Sequence, residues 1–539
     1  MTESAESKEE MPISMKRVQR IGRTIVLVAL PMVVIFTLIN MYLLTFVHRG
    51  SSETTFILNE RVYNKNSDSS SKKLPELRKK DSRDDNAMNL RQFDDAEKEL
   101  NKKSGDGDEV SPEVKDVKSA KDALVVMKDE AVDRMVEKLK MANNYSFFPS
   151  YFWNSSLHDL TRRLGATAKH KARTLPGYAQ IKRFSGKMPA WKLFHRNIRQ
   201  FSLYDPDDPN LYGMLIDMAT LPMIEGEEND GGTQLKINVR FSNEGRAVIK
   251  FMRYPREVEA DENRYIFDDL ERHIAEIAAF QLDKTLGFYR VPPTIGRRVN
   301  ITSELEPIMP KSIKDTLFKS PAGNLCFYGE CDYYCDSAHA FCGHPDTIEI
   351  SVQSYLPSRN IAKRKSWYQP WRRSYSKYRK AYWEKNDDLC DTIRNESPYN
   401  NGKLLLDMID AHTFDFLSGN KDRHSFATFK DFGNYTFPIM YDNGRGFGRQ
   451  TYDAMSILAP LRQCCLIRKS TLLKYVKLYV GPERLSVLME KALGSDPIAP
   501  VLIKPHLNAL DRRLLKILQA VAECIEKFPV NKVVVSDRF

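Results

Sequence analysis

Four residues have the types and the chain order that phosphoryl transfer demands: Lys250, Glu271, Asp422 and Asp442. That chemistry needs a cation on the phosphates, carboxylates for a divalent metal, and an acid that orients or deprotonates the attacking hydroxyl. Lys250 lies in an alternating apolar–polar run, and Glu271 stands at the start of a helical pattern. Asp422 sits in "GNKDRHSFATF" (Gly419–Phe429), straight after a strongly apolar run, and Asp442 opens the compact string "DNGRGFG".

A lysine in a strand, a carboxylate on the next helix, an acid in a loop after a helix and another at a strand end is the order of protein kinases. The usual strings are nevertheless missing. "DGGTQLK" (Asp230–Lys236) stands where G-x-G-x-x-G is expected, "KDRH" places the acid before Arg423 and His424, and "DNG" replaces D-F-G. Each residue also has a plain structural reading. Lys250 can be a solvated strand end, and Glu271 a partner for a helix N-terminal dipole. Asp422 can anchor a turn through Arg423, His424 can be structural, and Asp442 before Asn443-Gly444 fits a type I′ turn.

The elements that must position these groups are legible. "LKINVRFSNEGRAVIKFMR" alternates on both sides of "SNEG", which predicts a β-hairpin with strands near Leu235–Phe241 and Ala247–Phe251. "FDDLERHIAEIAAFQLDKTLG" predicts a helix capped by Asp268 or Asp269, with Leu270, Ile274, Ala278, Leu282 and Leu286 on one face and Gly287 at its end. "KLLLDMIDAHTFDFLSGN" predicts a buried helix stopped by Gly419 and Asn420. After it come the Asp422 loop, an extended Thr436–Tyr441 and further helices from about Ser456 to Phe528.

The chain has 539 residues, 42% hydrophobic and 28% charged, which suits a folded protein of more than one ordinary domain. From Thr24 to Val47 no charge interrupts an apolar run long enough to cross a hydrocarbon core of roughly 30 Å. Lys16, Arg17, Arg20 and Arg23 precede it against Arg49 alone after it, so the positive-inside bias predicts a signal anchor with the remaining chain translocated. The expected organisation is a cytosolic tail (1–22), the anchor (23–48), a Ser-, Asp-, Glu- and Lys-rich flexible stem (49–145) with some helix near "DALVVMKDEAVDRMVEKLKMA", and a folded domain (146–539). All eight cysteines follow residue 320, an even count that implies disulfides in a translocated domain. The spacing C-x4-C-x3-C-x6-C disfavours zinc despite His339 and His344, and adjacent Cys464 and Cys465 should reach separate partners. Five sequons, at Asn144, Asn154, Asn300, Asn395 and Asn434, suit the same compartment. The net charge of +11 therefore points to acidic proteins or sulfated sugars as partners, and nucleic acid is excluded by topology.

From about Gly231 onward the chain resembles the Golgi casein kinase family of secretory-pathway kinases (family with sequence similarity 20). The likeness runs in order through "GGTQLK", "ERHIAEIAAFQLDK", "RVPP", "CFYGECDYYC", "AKRKSWYQPWRRSY", "GNKDRH", "DNGRGFG", "SILAPLRQCC", "IRKST" and "APVLIKPHLNALDRRL". The resemblance implies an α+β, atypical bilobal kinase fold, with a small β-rich N-lobe and a helical, disulfide-stabilised C-lobe. It also implies a Golgi-membrane, type II protein with a luminal or released catalytic domain that uses ATP with Mn2+ or Mg2+. Carried over, Gln234 and Lys250 contact ATP; Glu271 binds metal; Asp442 binds metal and nucleotide; Asp422 is the catalytic acid; and Gln353, Ser354, Tyr355 and Leu356 line the adenine end. The implied disulfides are Cys326–Cys342, Cys331–Cys335, Cys390–Cys464 and Cys465–Cys524.

Two features depart from the family pattern: Ser354 and Tyr355 differ modestly from its hinge string, and Ala427 stands where active members keep a glutamate five positions after the loop acid. The family's pseudokinase is altered at the position of Glu271 instead, so retained activity is expected. "DNGRGFG" and "AKRKSWYQPWRRSY" resemble the protein-kinase branch, which modifies Ser in Ser-x-Glu motifs. The branch that phosphorylates xylose in the proteoglycan linker differs at the Gly-Arg pair. The basic cluster Lys363, Arg364, Lys365, Arg372 and Arg373 suits an acidic substrate side chain. The alternatives are xylose kinase, and pseudokinase activator of a paralogue within a homo- or heterodimer.

Overall fold

The computed structural model describes residues 128–141, 147–169, 173–179, 188–229, 234–260, 271–331, 334–376, 378–401 and 403–537, all within the compact unit Val117–Phe539. The apolar segment 24–47, most of the stem and the sequon at Asn144 lie outside the described residues. No described helix is long and apolar enough to cross a membrane.

Helix α1 (Glu130–Met141) falls in the range read as stem, where some helix was expected. Val132, Met135, Val136 and Leu139 recur at three- and four-residue steps and are buried. Gln519 Nε2 donates to Asp129 Oδ2 just before the helix at 2.7 Å. Helices α2 (Leu157–Lys169), α3 (Ala190–Asn197) and α4 (Pro209–Thr220) follow; Asp208 caps α4 by accepting from Asn210 N at 2.9 Å.

The N-lobe is a five-stranded antiparallel sheet, β1 (Met223–Glu228), β2 (Ile237–Phe241), β3 (Arg246–Phe251), β4 (Thr294–Asn300) and β5 (Thr347–Ser354), in the order β1-β2-β3-β5-β4. The expected hairpin is β2–β3. Ala247, Ile249 and Phe251 face the core, so the two-residue period turns Lys250 to the opposite face. Between β3 and β4 runs α5 (His273–Leu286). The expected caps, Asp268 and Asp269, lie outside the described residues, and Arg272 is the N-cap, without a side-chain bond. Glu271 therefore precedes the helix and does not sit in its first turn. Gly287 ends α5 at φ 68°, where a Cβ would lie 2.0 Å from Thr161 Cγ2, so both backbone conformation and space require glycine.

The C-lobe is mainly helical, with β6 (Arg364–Tyr368), α6 (Lys403–Ser418), β7 (Ser425–Phe429), α7 (Ala459–Cys464), α8 (Lys469–Val480) and α9 (Lys504–Lys527). Strands β6 and β7 pair antiparallel, which sets Tyr368 opposite Ser425 directly after the Asp422 loop. Thr436–Tyr441 forms no full strand; it contributes a single bridge from Ile439 to Ala427. Helix α6 is buried along its length, so its three acids need cations. Asp407 contacts Lys403, Arg290 and Arg468, Asp410 contacts Arg468, and Asp415 contacts Arg423.

Cysteines pair as 326–342, 331–335, 390–464 and 465–524, with none left free among the described residues. Cys465 takes φ 44° as the C-cap of α7, and that sharp turn lets neighbouring Cys464 and Cys465 reach different partners. Asn154, Asn395 and Asn434 are exposed, whereas Asn300 is half-buried at the end of β4. The Asn300 amide donates to Asp346, a bond that the remaining N–H of a glycosylated amide can keep.

Candidate active site

Lys250 Nζ is the meeting point of the two lobes. It lies 2.7 Å from Glu271 Oε2, 2.6 Å from Glu276 Oε1 and 2.9 Å from Asp442 Oδ1. Burial opposes the ammonium charge, but the carboxylates of Asp442, Glu271 and Glu276 outweigh it and hold the lysine well above its ordinary range. The Lys250 ammonium in turn holds Asp442 well below the usual carboxylate range. Three carboxylates around one ammonium leave formal negative charge uncompensated, which suits an added cation. The Asp442 side chain remains 45% exposed, open to a ligand from the cleft.

Glu276 is the functional residue that sequence reasoning missed. It is buried in the first turn of α5. Besides Lys250 it accepts from Asn443 N at 3.0 Å and from Gln353 Nε2 at 3.1 Å. It thus ties the lysine, the sheet and the Asp442 turn into one unit. The available signal was slight: a glutamate flanked by Ala275 and Ile277 in the apolar first half of the helix, which cannot stay buried without a cation.

The "DNG" turn is built for close approach. Asp442 itself adopts φ 62°, uncommon for a non-glycine residue though tolerated by Asp. A Cβ on Gly444 would stand 2.9 Å from Glu271 Cβ and Oε2, and Arg272 N donates to Gly444 O at 2.7 Å. Only glycine lets this strip pack against the Glu271 segment.

Asp422 follows the left-handed Gly419 (φ 74°) that stops α6. Its backbone N–H is held by Asn420 Oδ1 at 2.9 Å. Its side chain is 18% exposed, with Arg445 Nη1 2.8 Å from Oδ2. The Tyr375 hydroxyl donates to Oδ1, and His424 Nδ1 lies 3.4 Å from it. The bond to Asp422 raises the His424 pKa. Asp442 is close enough to act electrostatically on both Tyr375 and His424, which places the two acids at one cleft.

Arg423 does not anchor Asp422, as the plain reading supposed. Its Nε and Nη2 donate to the two carboxylate oxygens of Asp415 at 3.0 and 2.8 Å. Nη1 donates to Tyr441 O at 2.6 Å and Nη2 to Asn443 Oδ1 at 2.5 Å. One buried guanidinium therefore fixes α6, the loop acid beside it and both neighbours of Asp442.

The remaining expected residues divide. Gln234 is buried and its Nε2 has no hydrogen-bond partner. Gln353 lies near the end of β5 and joins the Glu276 cluster. Ser354, Tyr355 and Leu356 continue from it and, with Trp191, Met214 and Phe241, line an apolar cavity of about 350 Å3 that Lys250 and Asp442 do not reach. His195 Nε2 contacts Tyr355 O at 2.7 Å, so α3 braces this connection. Ala427 is buried in β7, opposite Ser366. Of the basic cluster, Arg364 and Arg373 hold Pro357 O and Ser456 Oγ, whereas Lys363, Lys365 and Arg372 are exposed; Lys363 and Lys365 lie opposite Lys430 and Thr428, toward the end of the β6–β7 pair away from the Asp422 loop.

Among the described residues no three His, Cys, Asp or Glu form a ready metal cluster. Glu271 and Asp442 can supply two oxygens, and further ligands must arrive with a substrate or water. The unsatisfied Gln234 amide and the buried Ser354 hydroxyl, also without a partner, are polar groups that a nucleotide could satisfy.

Comparison with known proteins accords with this geometry. The family profile described as "Fam20C: Golgi casein kinase, C-terminal, Fam20" matches residues 189–533. The extracellular serine/threonine protein kinase FAM20C of Homo sapiens is 47% identical over 363 residues, 67% of this chain and 62% of that protein. The extracellular serine/threonine protein CG31145 of Drosophila melanogaster is 48% identical over 340 residues, 63% of this chain and 64% of that protein. The chain therefore spans less than two thirds of either relative. Pseudokinase FAM20A and glycosaminoglycan xylosylkinase, both of Homo sapiens, are also similar, at 43% and 38% identity. The crystal structure of the Golgi casein kinase with Mn/ADP bound superposes with a TM-score of 0.64 at 39% identity, covering 74% of this chain and 96% of that one. The chain belongs to the Fam20, or Golgi casein kinase, family.

Proposed function

We propose that this chain is a secretory-pathway protein serine/threonine kinase that transfers the γ-phosphoryl group of ATP to serine in acidic, Ser-x-Glu-type motifs of secreted or luminal proteins. The observation that carries the reading is the contact of Lys250 with Glu271 and Asp442, beside a loop that presents Asp422. The Mn/ADP-bound relative supports the nucleotide and the metal.

In this reading Lys250 neutralises phosphate charge, and Glu276 and Arg423 keep lysine and turn in register. Gln234 contacts the nucleotide, while Ser354, Tyr355 and Leu356 form the connection at its adenine end. Glu271 and Asp442 hold a divalent cation, Mn2+ or Mg2+, which supplies charge neutralisation on the triphosphate when bound. Asp422 accepts the proton of the serine hydroxyl as the new O–P bond forms and the bond to the ADP leaving oxygen breaks. Tyr375, His424 and Arg445 orient that carboxylate. Lys363, Lys365 and Arg372 attract the acidic substrate side chain. Four disulfides and the extracellular naming of relatives support passage through the secretory pathway, with the 24–47 segment as a Golgi anchor.

Ala427 favours one second reading, an activator of a family paralogue in a heterodimer, because it removes a carboxylate that active members keep. Parallel assays with Mn2+ and ATP on a Ser-x-Glu peptide, a xylose-bearing acceptor and a paralogue kinase separate these outcomes. Peptide phosphorylation by the chain alone supports the proposal. Turnover of xylose alone, or stimulation of the paralogue without intrinsic turnover, overturns it.

A further inference from the structure

A second polar cavity, of about 110 Å3, lies where α2, the 199–205 segment, the end of α5 and the start of α8 converge. Four cations, Arg199, Arg290, Arg468 and Lys474, line it against two carboxylates, Asp205 and Asp410. Asp410 is already engaged: Arg468 Nε and Thr471 Oγ1 donate to it at 2.9 and 2.7 Å, and Arg290 Nη1 lies 3.6 Å away.

Lys474 has no such partner. It is 5% exposed, yet among the described residues it forms no ion pair. Its Nζ reaches only Gly287 O at 3.3 Å and the face of Phe288, 5.3 Å from the ring centroid. Burial, aided by the charges of Arg290 and Arg468, outweighs the pull of Asp410 and Asp537 and brings its pKa down to about 8. Two further polar atoms on the lining are unsatisfied. Thr161 Oγ1 and Arg290 Nε have no hydrogen-bond partner, although their residues are only 5% and 7% exposed. Such groups are costly to bury unpaired. Ser470 and Thr471, in the first turn of α8, also line the cavity at the positive end of a helix, with the Ser470 hydroxyl donating to Asp537 Oδ1 at 2.5 Å and the Thr471 hydroxyl to Asp410.

We propose that this cavity is a binding site for one tetrahedral oxyanion, a phosphate or sulfate group, held by Lys474, Arg290, Thr161 and the first turn of α8. The space holds several waters and so admits one such group, free or as a small monoester. An ion there joins the N-terminal helices to the end of α5 and to the C-lobe, at a place that involves neither Lys250 nor Asp422.

Calorimetric titration of the whole protein with sodium sulfate, at constant ionic strength and with the nucleotide site saturated by ADP, tests this. One sulfate per chain should bind with a dissociation constant below about 1 mM, whereas Lys474→Met should weaken it at least tenfold and Thr161→Val at least threefold. A parallel titration with inorganic phosphate and O-phosphoserine tells a free ion from a monoester: either binding with the same variant dependence supports the oxyanion site. Lack of saturable binding by all three probes refutes it. So does sulfate binding that is unchanged in folded Lys474→Met and Thr161→Val proteins, which would leave Lys474 as a partner for the Gly287 carbonyl just past α5.

Discussion

Arg423→Met removes the guanidinium that couples α6 to the Asp442 turn. Four hydrogen bonds disappear, two to Asp415 and one each to Tyr441 O and Asn443 Oδ1. Breaking one side of a buried ion pair costs about 3–5 kcal/mol, because the remaining charge is left uncompensated. Neighbouring bonds do not add independently, so we expect a loss of about 4 kcal/mol and a fall in melting temperature of roughly 5–10 °C. The sign with pH is also fixed. Burial already raises the Asp415 pKa against the pull of Arg423, and without Arg423 it rises further. A carboxylate whose folded pKa exceeds its unfolded value stabilises below the unfolded pKa and loses that contribution as pH rises through the folded one. The stability deficit of the variant must therefore widen as pH rises from the ordinary carboxylate range toward neutrality. Circular-dichroism melts across that range, with turnover measured on the same samples, are the assay. A variant within about 1 kcal/mol of wild type, or a deficit that shrinks as pH rises, refutes this account of the Arg423 clamp.

His424 is stabilised as imidazolium by Asp422, so it should titrate above its ordinary 6.5 by NMR and return toward that value in Asp422→Asn; the pairing is complete at lower pH and lost as pH rises through the raised pKa. Ala427→Glu should lower the Mn2+ concentration for half-maximal activity at least threefold by restoring a carboxylate; an unchanged metal requirement in a folded variant would detach that position from the metal shell. Replacing Cys465 and Cys524 together by Ser opens a crosslink spanning 59 residues and should cost about 2–4 kcal/mol by denaturant melts; an unchanged midpoint counts against the crosslink as a constraint on the unfolded chain.

The parts of the fold governed by local rules could be read directly. The hairpin around "SNEG" follows from alternation, and the αL stop at Gly287 follows from glycine after a helical stripe. Lys250, Glu271 and Asp442 were identified by their order, and the structure joins them within hydrogen-bonding reach. What escaped is long-range charge pairing. Asp407, Asp410 and Asp415 announced a need for cations by lying in an apolar helix. Their partners, Arg290, Arg468 and Arg423, are set by packing between segments far apart in the chain. Glu276 is the same case at the active site: it falls off the Leu270–Leu286 stripe, and only the fold shows that it is buried and holds Lys250.

The most direct test of the central claim, that Lys250, Asp422 and Asp442 form one phosphotransfer site, is the initial rate of phosphate transfer from ATP to a Ser-x-Glu peptide with Mn2+. Wild type should turn over, whereas Asp442→Ala and Asp422→Asn should each lose at least about a thousandfold while keeping the wild-type melting profile. Full activity in either folded variant, or no transfer by wild type to this peptide, would contradict it.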